Sequence, residues 1–301
     1  MKVLITGATG LVGSEIVKQC HQNNIDVHYL TTSKSKIANE DNYKGFYWNP
    51  SVYEIDKSCF EGVDAIINLA GASIAKRWTK DYKQEVLDSR LQSLELLFDT
   101  ISKHNIEINQ LISASAIGVY PDSDINYYQE TYKDYSYTFL GRVVKQWEKA
   151  ADAFSELGIN VTKIRIGLVL ASNGGALAEI VKPTKFGLGS AFGDGKQWQS
   201  WIHIEDLAKL FLHCLENNLS GIYNGVAPNP VSNKEIAKTV AKTLNRPFFL
   251  PNIPKGIMAM ILGEMHILLF ESQRVSAQKI ENSGFNFKFP NLQPALEDIL
   301  L

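Results

Sequence analysis

Short apolar runs alternate with helical patterns through the first half of the chain. Val3-Leu4-Ile5 predicts a strand, Leu11 to Gln22 a helix, and Val27 to Leu30 a second strand. The run Ala65 to Leu69, introduced by Gly62-Val63-Asp64, predicts another strand. A long helix follows from about Thr79 to Lys103, then a strand from Gln110 to Ser113. A helix from about Phe139 to Leu157 leads to the strand Val161 to Ile166. Strands alternating with helices imply parallel β-α-β units, and their near-continuous apolar character suits a sheet covered on both faces. The expected fold is α/β: a doubly wound, Rossmann-type parallel sheet with a smaller mixed α/β C-terminal substrate domain.

The change comes near residue 170. Glycines cluster at 174, 175, 187, 189, 193 and 195, interleaved with Phe186, Phe192, Trp198 and Trp201. Asp206 to Asn217 then reads as a helix and Ile222 to Asn224 as a short strand. Ser232 is a good N-cap for a helix to Leu244, with Glu235 three residues on. We therefore divide the chain into a nucleotide-binding domain, residues 1–170 with about 200–220, and a small domain of residues 171–199 and 221–301.

The first candidate chemistry is Thr6-Gly7-Ala8-Thr9-Gly10-Leu11-Val12-Gly13, between the first strand and the first helix. Gly7 permits a tight turn, Gly10 lets backbone approach a pyrophosphate, and Gly13 allows close helix packing. The N–H groups of Leu11, Val12 and Gly13 begin a helix whose positive end meets phosphate. A carboxylate near the end of the second strand would bind the ribose 2′-OH of NAD. Thr31-Thr32-Ser33-Lys34 stands there instead, with Lys36 beyond, which suits the 2′-phosphate of NADP(H).

Composition narrows the picture further. The 301 residues are 45% hydrophobic and 21% charged, with net charge -2, which gives no electrostatic reason for a nucleic-acid partner. Cys20, Cys59 and Cys214 stand far apart and read as reduced core thiols of a cytoplasmic protein. The chain passes from Met1-Lys2 directly into a strand, leaving no room for a signal peptide. The apolar stretch 256–270 is interrupted by Glu264 and His266 and is too short to span a bilayer, so no membrane is expected. The six histidines are dispersed, so no metal is expected either.

The chain resembles the extended, or atypical, short-chain dehydrogenases, and more closely a group of predicted nucleoside-diphosphate-sugar epimerases with largely unassigned substrates. The likeness runs end to end. It is carried by Asn68-Leu69-Ala70-Gly71-Ala72, Arg77-Trp78-Thr79, Glu85 to Leu91, Ser113-Ala114-Ser115-Ala116-Ile117-Gly118, Arg165-Ile166-Gly167, Gln197-Trp198, Trp201 to Asp206 and Ser272-Gln273-Arg274-Val275. The resemblance implies cofactor contacts at Leu69, Ala70 and Gly71, with Glu85, Arg90, Ser113 and Arg165 nearby. It also implies a homodimer through the two long helices, whose apolar residues are equally explained by packing on the sheet. His203 reads as part of a helix entry rather than as an acid–base group.

Short-chain dehydrogenase chemistry uses a Tyr and a Lys at i and i+4 of one helix, plus a Ser after the fifth strand. Ser115 occupies the Ser place. The helix that should carry the pair reads Phe139-Leu140-Gly141-Arg142-Val143-Val144, with apolar residues in both possible registers. Tyr120 and Tyr137 could supply a phenol from nearby. Two readings follow. One is an NADP-dependent oxidoreductase or epimerase using Ser115 on a small polar or nucleotide-sugar-like substrate, with Arg77, Lys185, Gln197 and Trp198 lining the pocket. The other is an NADP(H)-binding redox sensor or interaction protein without turnover.

Overall fold

Seven strands form one parallel sheet in the computed structural model, which describes residues 1–301. They are β1 (Lys2–Thr6), β2 (Asp26–Thr31), β3 (Tyr43–Asn49), β4 (Ala65–Asn68), β5 (Gln110–Ala116), β6 (Asn160–Ile166) and β7 (Gly221–Gly225). Their spatial order is β7-β6-β5-β4-β1-β2-β3, every neighbouring pair parallel. Two short strands, Asn39–Glu40 and Glu54–Ile55, run antiparallel to β3. Chain order reverses between β1 and β4, the place where open α/β sheets take ligands.

The helices that flank the sheet are α1 (Leu11–Gln22), α2 (Lys80–His104), α3 (Phe139–Asp152) and α5 (Ile204–Glu216), while α4 (Gly175–Lys185) packs in a smaller core of its own. α1 packs with α5 and α2 with α3, as a sheet buried on both faces requires. Side chains cap the starts of α2, α3 and α5. Thr79 Oγ1 accepts from Tyr82 N at 3.1 Å, Thr138 Oγ1 from Gly141 N at 3.3 Å, and His203 Nδ1 from Glu205 N at 3.1 Å. Each bond satisfies an otherwise orphaned N–H. His203 is thus a buried cap, and burial lowers its pKa below the ordinary value.

Strand β3 and helix α4 escaped the periodic reading. Gly45 interrupts the apolar run of β3 because the Tyr29 ring lies on it: a Cβ there would sit 2.5 Å from that ring. Helix α4 starts from Gly174-Gly175 and carries Pro183, both contrary to helical preference. α3 ends at Asp152 and continues to Leu157 only as a 3-10 turn.

Part of the chain after residue 170 has an apolar core of its own, built on Leu177, Trp201, Ile236, Val240, Phe289 and Leu296. By contrast, α5, β7 and residues 275–285 pack in the core of the main sheet, so 221–225 falls with that sheet and not with the small domain. Its helices are α6 (Asn233–Thr243), α7 (Lys255–Leu262) and α8 (Leu292–Leu300). No helix is long and apolar enough to cross a membrane. Segment 271–276 forms a strap between the chain after β5 and the strand before α5. Ser272 N donates to Asp122 Oδ1 at 2.7 Å, and Trp198 N to Ser272 Oγ at 2.9 Å. Gln273 Nε2 donates to Tyr120 O at 2.8 Å, and Ser276 N to Tyr128 O at 2.8 Å.

Candidate nucleotide and substrate site

The turn after β1 is shaped by two close approaches. Gly7 adopts φ +73°, a region other residues avoid, and Gly10 N donates to Gly7 O at 3.0 Å. A Cβ on Gly13 would lie 2.2 Å from Gly7 O, so the first turn of α1 rests on the glycine turn itself. Gly10 is different: a Cβ there would meet only Gly7 O, at 3.2 Å, and its outer side is open. Helix α1 has no side-chain cap and no acidic residue in its first turn. Leu11, Val12 and Gly13 therefore begin a helix whose first N–H groups are left for a ligand, and an anion suits them.

Thr6 and Asn68, which the sequence motifs include without assigning a role, fix the facing wall. Thr6 Oγ1 donates to Asn68 Oδ1 at 2.8 Å and accepts from Leu69 N and Ala70 N at 3.0 and 3.1 Å. Asn68 Nδ2 donates to Ser113 Oγ at 3.2 Å. Ser113 is wholly buried and braces β4 against β5 rather than reaching a ligand. A small polar residue at the end of an inner strand was the only available sign of this network.

An open cleft of about 630 Å³ spreads from this turn. Gly7, Thr9, Thr31, Thr32, Ala70, Gly71 and Glu85 line it as expected positions; Asp88, Ser89 and the run Trp48 to Ser51 join them unannounced. Trp48 to Ser51 were missed because β3, which delivers them, was missed. On the rim, Ser33 N donates to Thr31 Oγ1 at 3.1 Å, and the Lys34 ammonium lies 4.8 Å from the Tyr47 ring centroid. Leu69 is half-buried against the main core.

Arg90 closes the far end of the cleft. Its Nη1 donates to Val86 O at 2.7 Å and Ala72 O at 3.2 Å, and the guanidinium lies 5.0 Å from the Trp147 ring centroid. Burial lowers its pKa to about 10. Beyond Arg90 is a second, smaller cavity of about 210 Å³. Its walls are mostly apolar: Leu140, Val143, Val144, Trp147, Trp198 and Leu268 among them. Ala116 from the end of β5 and Gly167 just after β6 line the same space.

Several expected site residues lie elsewhere. Ser115 is buried, and its Oγ donates to Glu148 Oε1 at 2.6 Å; Ala116, one residue on, faces the cavity instead. Arg165, expected beside the cofactor, is 1% exposed and lines neither space. Its Nε and Nη2 donate to the two Glu148 oxygens at 2.7 and 2.8 Å, and its Nη1 to Tyr120 Oη at 3.0 Å. Burial opposes the Arg165 charge, but Glu148 outweighs it and holds the pKa above the ordinary value.

The proposed phenols fare no better. Tyr120 is buried, its pKa pushed up to about 12 by burial against the pull of Arg165, and Tyr137 is almost fully exposed. A Tyr-x-x-x-Lys spacing does occur at Tyr53 and Lys57, but Tyr53 lies beyond β3 and donates to Asp99 at 2.8 Å, away from the cavity. Of the substrate candidates only Trp198 lines the cavity. Gln197 is buried, donating to Phe192 O and Leu269 O at 3.2 and 2.9 Å; Arg77 and Lys185 are exposed outside it.

A model of the NAD dependent epimerase/dehydratase family matches residues 3–225, and one of a domain of unknown function matches residues 253–299. An epimerase family protein of Staphylococcus aureus is 37% identical over 300 residues, covering 99% of this chain and 98% of its own. A human epimerase family protein solved with NADPH superposes with TM-score 0.85 at 29% identity, over 99% of both chains. A nucleoside-diphosphate sugar epimerase from Corynebacterium glutamicum gives TM-score 0.79 at 27% identity, covering 100% of this chain and 58% of its own.

Proposed function

The chain belongs to the NAD-dependent epimerase/dehydratase family, and on that footing we propose that it binds NADP(H) and acts as an oxidoreductase or epimerase-like enzyme on a small substrate. The observation that carries this is the adjacency of the two spaces. The larger cleft lies at the glycine turn before the uncapped start of α1, and its Gly71 packs against Arg90 of the apolar cavity, whose guanidinium carbon lies 2.9 Å from where a Gly71 Cβ would stand. The open outer side of Gly10 and the free N–H groups at the start of α1 would hold the pyrophosphate, and Trp48 to Ser51 the adenosine end. Thr31, Thr32, Ser33 and Lys34 would take the 2′-phosphate, since no carboxylate stands at the end of β2 to claim a 2′-OH. The human relative solved with NADPH supports the same preference.

When bound, the cofactor supplies hydride transfer. The chain orients its reactive end by the rigid 68–72 segment, which Thr6 and Arg90 tie from either side, and the apolar walls exclude water. A large sugar nucleotide is disfavoured: Arg77 and Lys185, the cations that could meet its diphosphate, lie outside the cavity. A second reading, cofactor binding without turnover, draws on Ala116, Leu140 and Val144 standing where Ser, Tyr and Lys would act.

Calorimetric titration with NADPH and NADH tests the proposal. NADPH is expected to bind at least tenfold more tightly than NADH. Gly10→Asp, which places a carboxylate at the open anion site, is expected to remove both. Failure of either nucleotide to bind the parent protein would overturn the proposal.

A further inference from the structure

The small cavity lacks the Tyr, Lys and Ser of the usual chemistry, yet its lining holds one carboxyl group. Glu271 follows the short helix Ile267–Phe270, and its backbone N donates to Ile267 O at 2.9 Å. It opens the strap, so the neighbouring Ser272 and Gln273 are buried and pinned by the hydrogen bonds described above. Its carboxylate takes no hydrogen bond from the chain, and it lines the cavity with Leu268, Trp198 and Leu140. Arg90 is the other ionisable group in that lining; its Nη1 is engaged by Ala72 O and Val86 O.

We propose that Glu271 is the proton donor of this cavity, and that the ligand it serves is a small uncharged carbonyl compound with an apolar body. This deepens the oxidoreductase reading and rests on it. The cavity, at about 210 Å³, is below the roughly 300–1,000 Å³ of ordinary ligand clefts. A nicotinamide ring entering from the Arg90 side would take part of it. What remains suits a short aliphatic or aromatic body against Leu140, Val144, Trp198 and Leu268, with one polar atom toward Glu271.

The surrounding charges favour the neutral acid. Burial is the main influence, Asp122 on the chain after β5 adds to it, and Lys255 at the start of α7 opposes it; together they push the Glu271 pKa up to about 7. A carboxyl poised there can donate to a carbonyl oxygen near neutrality. In a reduction, the Glu271 O–H bond breaks as the substrate O–H bond forms. The electron pair for the new C–H bond arrives as hydride from a reduced nicotinamide, which is oxidised. Glu271 is left as carboxylate and regains its proton from water.

The test uses acetophenone and cyclohexanone as probes with the NADP⁺-loaded protein, read by quenching of tryptophan fluorescence, since Trp147 and Trp198 line the cavity. If only the acid form binds, affinity falls roughly 30-fold from pH 6 to pH 8.5 for a group titrating near 7. Glu271→Gln, which keeps an N–H donor, is expected to bind with no pH dependence, and Glu271→Leu weakly throughout. A carboxyl titrating near 7 in the ¹³C NMR of glutamate-labelled protein should vanish in both variants.

Unchanged pH dependence in Glu271→Gln overturns the proposal, as does strong quenching by UDP-glucose with none by either ketone. Absence of any such titrating carboxyl does the same. NADPH titration of each variant separates the two levels: loss of nucleotide binding in the parent sinks the oxidoreductase reading, whereas intact nucleotide binding with a silent Glu271 sinks this inference alone.

Discussion

Ser115 and Arg165 looked like functional residues, and replacing their shared partner tests the structural role found for them. Glu148 is almost wholly buried and receives three charged or hydroxyl donors, at 2.6, 2.7 and 2.8 Å. Glu148→Ala leaves the Arg165 guanidinium buried without its counter-ion, a loss of about 3–5 kcal/mol. At about 2 °C per kcal/mol for a chain of this size, the melting temperature should fall by roughly 6–10 °C. Ser115→Ala removes one bond to a charged acceptor while the Arg165 fork survives, costing about 1.5–3 kcal/mol, or roughly 3–6 °C.

Replacing both charges together, Glu148→Leu with Arg165→Met, should recover most of the loss, because no buried charge is stranded. Differential scanning calorimetry with and without NADPH reads all four proteins. NADPH affinity should stay within about twofold of the parent in Ser115→Ala, by the same argument that its hydroxyl is spent on Glu148. A Glu148→Ala melting temperature within about 1 °C of the parent would refute the stranded-charge reasoning. A Ser115→Ala protein that is fully stable but has lost NADPH-dependent turnover would return Ser115 to the chemistry.

Gly13→Ala forces a Cβ to within 2.2 Å of a backbone oxygen, so NADPH affinity should drop at least tenfold; saturating NADPH should then fail to give the parent's thermal stabilisation, about 2.7 kcal/mol at 100 times Kd. Lys34→Glu should weaken NADPH binding while sparing NADH, and an equal loss for both in calorimetry would argue against a 2′-phosphate contact. Glu271 supplies a pH-dependent stability term. Its folded pKa, about 7, lies above that of an unfolded glutamate, so the native state holds the extra proton and stability falls as pH rises through that window. Glu271→Gln should therefore gain in melting temperature relative to the parent at pH 8 and not at pH 4; an equal difference at both would contradict the assignment.

The sheet and the glycine turn were legible because both are local. Val3-Leu4-Ile5 followed by Gly7, Gly10 and Gly13 states a strand, a turn and a helix start within about ten residues. Strand β3 was illegible because Gly45 breaks its apolar run, and the reason for Gly45 is Tyr29, distant in sequence. The side chains of Ser115 and Arg165 were placed on the wrong side of the problem for a related cause. The Glu148 that claims them lies 33 and 17 residues away, and a strand pattern does not say which face carries the ligand. The cavity's own carboxyl was hidden further still, since Glu271 reaches the space through a C-terminal strap that no periodicity announces.

That strap sets an order of assembly during synthesis. Every residue lining the larger cleft falls between Gly7 and Ser93, so those residues are made well before the strap. The small cavity, by contrast, draws on Leu268, Glu271 and Gln273, and is enclosed only after the strap has been made. A nascent chain thus holds the means to recognise a nucleotide well before it has a chamber in which to use one. Ribosome-bound fragments should be trapped by nucleotide resin yet offer small carbonyl compounds nothing to enter. The strap completes the small cavity and not the cleft.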